Sequence, residues 1–137
     1  MQPLKCIIIK NDLDIGDGKM SGIVHFEIPA DDMQRAKRFY SDLFGWRIEG
    51  IQGMDYMMID VFGAPGGGMM KRMHPDQQII DYIGVPSVDE YALKVEKLGG
   101  KIIVPKKAVP GMGYFVICSD TENNAFGIWE MDPKAKQ

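Results

Sequence analysis

The chain has 137 residues, of which 45% are hydrophobic and 26% charged, with a net charge of −3 and an isoelectric point near 5.3. These values exclude disorder over most of the length and argue against a nucleic-acid binder, which would carry a basic face. No apolar run is long enough to span a membrane and no export signal is evident, so Cys6 and Cys118 read as free thiols of a cytoplasmic protein.

The first nineteen residues read as a separate N-terminal extension to a single domain over 20–137. Leu4–Ile9 has the character of a strand and 11–19 that of a polar linker. Two readings stay open: Met20 is the physiological start, or Cys6–Ile9 adds an edge strand or packs on a partner chain.

Ile23–Ile28 alternates with period two, placing Val24, Phe26 and Ile28 on one face and His25 and Glu27 on the other. Asp31 and Asp32 offer an N-cap, and Met33–Phe44 carries apolar residues at three- and four-residue spacing, so a helix is predicted, closed by Gly45. Strands are expected at Trp46–Ile51, Tyr56–Phe62 and Gly68–Arg72. The Gly66-Gly67-Gly68 run joins two strands and lacks the Lys-Ser/Thr of a phosphate loop, so it reads as hairpin geometry. His74-Pro75-Asp76 opens a link, with His74 solvated.

The order then recurs: a strand at Ile80–Val85, a helix at Val88–Leu98 ended by Gly99-Gly100, and strands at Lys101–Val104, Tyr114–Ser119 and Ala125–Met131. The tail from Asp132 is expected to fray. Modules 22–74 and 79–132 are thus each βαβββ, and the predicted class is α+β, with the eight strands forming one cupped mixed sheet. Most of the methionines of the first half (Met54, Met57, Met58, Met69, Met70 and Met73) are expected in the core.

Val24-His25-Phe26-Glu27-Ile28-Pro29-Ala30-Asp31-Asp32, Arg35–Tyr40, Leu43-Phe44-Gly45-Trp46 and the ending Ser119–Glu130 resemble glyoxalase-like proteins of the vicinal oxygen chelate superfamily. That superfamily includes glyoxalase I, extradiol dioxygenases and bleomycin-binding proteins. The resemblance covers residues 22–132 and implies homodimerisation. It also implies, in metal-dependent members, a divalent ion held by four inward His, Glu or Gln side chains from the first and last strand of each module. Here those positions hold His25, Tyr82, Gly68 and Gly127. Glycine cannot ligate, and one histidine does not hold a catalytic ion. Glu130 lies on the last strand, but alternation turns it to the other face.

The leading expectation is therefore a protein that binds a small organic molecule in the cup without the metal. His25, Glu27, Met70, Tyr82 and Trp129 are the binding residues, and His25 with Glu27 form a possible acid/base pair. One alternative is a lyase or isomerase of the glyoxalase I type, or a dioxygenase-like relative, using Zn, Ni or Fe on His25 and Glu130. Another is an interaction module whose cup is closed by Met and Trp packing.

Overall fold

A computed structural model describes residues 21–137; the expected strand at Leu4–Ile9 and the question of Met20 lie outside the described residues. The first alternating segment forms β1 (Ile23–Ala30), followed by α1 (Met33–Phe44), β2 (Arg47–Gly50), β3 (Tyr56–Asp60) and β4 (Gly67–Lys71). The second module repeats the series as β5 (Ile80–Gly84), α2 (Val88–Lys97), β6 (Lys101–Val109), β7 (Gly113–Ser119) and β8 (Ala125–Met131). The eight strands make one sheet in the order β2-β3-β4-β1-β5-β8-β7-β6. β1 runs parallel to β4 and β5 parallel to β8, while β1 and β5 meet antiparallel at the sheet centre. The α+β reading with two βαβββ modules is the observed architecture.

Both helices start where the sequence supplies a cap. The Asp32 carboxylate accepts from the Arg35 amide at 3.0 Å, satisfying one of the amides a first turn leaves unpaired; Gly45, with φ +72°, takes the left-handed turn that closes α1. Ser87 caps α2 by accepting from the Glu90 amide at 3.2 Å. Each helix covers one face of its own four strands. Ile28, Ile48, Ile59 and Met69 pack under Met33, Ala36 and Tyr40 of α1. Val116, Cys118 and Ile128 pack under Val88, Tyr91 and Val95 of α2. Burial of Cys118 pushes its thiol up to about 11, so it packs as a small apolar group with no thiolate to react. No described helix is long and apolar enough to cross a bilayer.

Four expectations are corrected. Only Met57 and Met69 of the first-half methionines are buried, because only they point to the helix-covered side; Met54, Met58 and Met73 are exposed. Val24 does not share the face of Phe26. A bulge between Ile23 and His25 breaks the alternation and lays the Val24 methyls over Gly84. β6 runs on to Val109, through Pro105. The tail does not fray over its whole length: Ala135 is 3% exposed and its carbonyl accepts from the Gly111 amide.

Candidate functional site

The uncovered face of the sheet carries His25 and Glu27 of β1 and Tyr82 of β5, with His25 and Tyr82 directly opposed. Side chains two residues apart on one strand stand about 7 Å apart at the backbone, too far for His25 and Glu27 to meet directly. Tyr56 of β3 closes that gap. Its hydroxyl donates to Glu27 Oε2 at 2.9 Å, and its oxygen therefore accepts from His25 Nε2–H at 2.8 Å. Tyr82 donates to the other carboxylate oxygen, Oε1, at 2.7 Å. Glu27 is thus clamped between two phenols, and His25 is held as the Nε2–H tautomer through one of them. Glu27 makes no ion pair with Arg72 or Lys71. Arg72 instead bonds Asp31 at 3.0 Å and the Gln77 and Pro29 carbonyls, fastening the link between modules.

Two glycines make this possible. A Cβ at Gly68 would fall 1.7 Å from the Tyr56 hydroxyl, and a Cβ at Gly127 would fall 2.3 Å from the Tyr82 ring. The tyrosines lie flat against bare backbone of the neighbouring strands. The space above both glycines is filled by these two rings. In register, Glu27 lies opposite Gly68, whereas Tyr82 lies opposite Gly127 and Gly84 opposite Trp129.

Burial shapes the electrostatics of this group. Desolvation lowers the His25 pKa below its ordinary value, against the pull of the Glu27 charge. Both phenols are pushed far above the usual tyrosine range, first by burial, then by the Glu27 charge and the hydrogen bond to it.

The other predicted residues are placed as follows. Trp129 sits beside Phe115 and Gly84 in register, on the same face as Tyr82. Phe115 meets the Tyr82 ring edge-on at 6.4 Å. Met70 pairs with Tyr56 across β3 and β4, and its sulfur takes the Gln77 amide at 3.8 Å. Glu130 faces the helix side, where Oε1 accepts from the Val88 amide at 3.0 Å and caps α2. It is therefore not among the inward side chains that the metal-binding alternative requires. His74 lines an open hollow of about 590 Å³ with Asp31, Arg72, Met73 and Pro75, none of them part of the cup.

Glu130→Ala is expected to cost about 1 kcal/mol in urea unfolding by leaving a buried helix-start amide unpaired; no loss would argue against the capping role.

Tyr56 was not singled out from sequence. The available signal was the period-two pattern of β3, which puts Tyr56 and Met58 on the His25 side, next to a strand whose Gly68 offers no side chain.

The four-donor set implied by metal-dependent relatives does not fit here. Two of its positions are glycines filled by tyrosine rings, and His25 Nε2 already donates to Tyr56. Among the described residues no group of three His, Cys, Asp or Glu side chains is gathered in metal-binding geometry.

Residues 22–61 match the family described as bleomycin resistance protein-like N-terminal. A glyoxylase-like domain-containing protein of Didymella fabae is 32% identical over an alignment of 129 residues, which spans 81% of this chain and 92% of that protein. Methylmalonyl-CoA epimerase from Mycobacterium tuberculosis shares the fold with a TM-score of 0.65 at 16% identity, over 82% of this chain and 89% of that one. A glyoxalase/bleomycin resistance protein/dioxygenase superfamily member from Vibrio splendidus 12B01 does so with a TM-score of 0.63 at 10% identity, over 82% and 100%. The identity and coverage of the D. fabae relative, joined to the doubled βαβββ sheet and its opening and closing motifs, make this chain a member of the glyoxalase-like family of the vicinal oxygen chelate superfamily.

Proposed function

We propose that this protein binds a small organic molecule in the cup without the metal of its metal-dependent relatives. The observation that supports this reading is the pair of tyrosines laid over Gly68 and Gly127, which puts two phenols and a carboxylate where metal ligands would otherwise converge. A site of this kind recognises its guest through hydrogen bonds and aromatic surface. His25 and Glu27 keep a second possible role as an acid/base pair relayed through Tyr56, since a neutral imidazole held in one tautomer is ready to take a proton.

The test is metal analysis of protein purified without chelators, beside His25→Ala, together with a small-molecule screen read by thermal shift. Zn, Ni and Fe well below one per chain, unaffected by His25→Ala, and at least one compound that stabilises the wild type more than Tyr82→Phe are the expected results. One equivalent of metal lost in His25→Ala, with turnover of a glutathione hemithioacetal, would establish the lyase alternative instead. A screen without any binder would favour a closed interaction module.

A further inference from the structure

The hydrogen-bond directions in the cup narrow the chemistry of its guest. Both tyrosine protons point to Glu27, and the His25 Nε2 proton points to Tyr56. The protons of the cluster are therefore already engaged within it. What remains for a guest is lone pairs: a further one on each Glu27 oxygen, those of the Tyr82 oxygen, and His25 Nδ1.

The cluster also carries a charge that lacks a counterion among the described residues. Glu27 accepts at both oxygens and acts as a carboxylate, and burial keeps His25 neutral. The three ion pairs of the described residues, Arg72–Asp31, Lys94–Glu90 and Lys106–Asp89, all lie elsewhere. A half-buried carboxylate satisfied only by two neutral donors is still short of a positive partner.

The walls are aromatic. The Tyr82 ring stands edge-on to His25 at 5.7 Å and to Phe115 at 6.4 Å, and Trp129 follows Phe115 in register. Ring faces attract cations, best when these are poorly hydrated. An anion at this cluster would meet the Glu27 charge and the lone pairs around it. A hard metal ion would find one carboxylate where it needs several oxygens.

Resting on the small-molecule reading above, we propose that the cup takes an organic cation, a protonated or quaternary amine seated at the Glu27 carboxylate beside the rings of Tyr56 and Tyr82. Calorimetric titration at about pH 8 with four probes of one shape tests this: benzyltrimethylammonium, benzylamine, benzyl alcohol and benzoate. The two cations are expected to bind about tenfold or more tighter than benzyl alcohol, and benzoate weakest of all. Glu27→Gln should remove most of the cation preference while leaving benzyl alcohol affinity within about twofold. If Glu27→Gln does not fold, the ranking on the wild type decides alone. Benzoate or benzyl alcohol binding as well as the cations would overturn the cation proposal and leave the small-molecule reading standing. No cation binding at about 10 mM, together with a non-cationic hit from the compound screen, would do the same. The absence of any binder in either experiment would overturn both.

Discussion

Gly127→Ala is expected to destabilise this protein by about 2–4 kcal/mol, the sum of an overpacked site and a strained hydrogen bond to a carboxylate. The new methyl would stand 2.3 Å from Cδ2, 2.5 Å from Cε2 and 3.0 Å from Cγ of Tyr82. These atoms are the body of the ring and not its free end, so no small rotation clears them. Tyr82 is only 7% exposed, and it cannot lift away from β8 without pulling its hydroxyl off Glu27. Gly68→Ala differs in an instructive way. Its methyl meets the tip of Tyr56, 1.7 Å from the hydroxyl, and that ring can swing toward the open side, where Met58 is 40% exposed. Gly68→Ala should therefore cost less stability, about 1–2 kcal/mol, yet break the path from His25 to Glu27. A double-mutant cycle in urea checks the cause. In a Tyr82→Ala background, Gly127→Ala should cost under about 1 kcal/mol, because the ring it strikes is gone. Additive costs would mean that Gly127 matters for its backbone and not for the tyrosine beside it.

How much of this was legible in the sequence differs between the layers of the structure. Local signals located the helices well: α1 spans the predicted Met33–Phe44, because Asp32 and Gly45 are both strong terminators. Alternation placed His25 and Glu27 on one face and Glu130 on the other, which is how they lie. What failed was non-local. The strand expected at Lys101–Val104 runs on through Pro105, and among the described residues β6 is the last strand of the sheet and pairs only with β7. Its register slips between Val104 and Lys107, so a residue without an N–H is accommodated there. The docked tail depends on Gly111 and Met112, some twenty residues away in sequence, whose backbone bonds to Ala135 and Asp132 no periodicity shows. The same holds for the site. Alternation and the resemblance pointed to His25 and Glu27 and the repeat to Tyr82, but Tyr56 arrives from a strand that does not touch β1. It reaches Glu27 only because Gly68, on the strand between, has no side chain to stop it. The glycines were noticed as gaps; what filled them required the sheet order.

Raising the pH past about 10 is expected to unfold the protein through Tyr56 and Tyr82. An unfolded tyrosine loses its proton near pH 10. In the native protein both phenols are held protonated far above that, first by burial, then by the neighbouring Glu27 charge and the hydrogen bonds donated to it. Above pH 10 the unfolded state sheds two protons that the native state keeps. Stability contributed by these groups is thus fully present below about pH 10 and falls as the pH rises, by about 1.4 kcal/mol per pH unit for each tyrosine. Together they would cancel much of a typical domain's stability of about 5–15 kcal/mol within two or three units. His25 sets the opposite slope in acid. Its native pKa lies below the ordinary value of 6.5, so protonation of the unfolded state weakens the fold as the pH drops through about 6.5 and on to the native pKa. Urea unfolding between pH 8 and 11 measures the alkaline limb. Tyr56→Phe and Tyr82→Phe should each remove about half of the tyrosine slope, which separates it from the contribution of lysines. Spectrophotometric titration should show two of the five tyrosines ionising only as the protein unfolds. Two variants with the wild-type slope, or all five tyrosines ionising in protein that stays folded, would mean that the phenols are not bound to Glu27 in solution. The cation site would then lose its floor, since the inward direction of those two protons is what leaves only lone pairs for a guest.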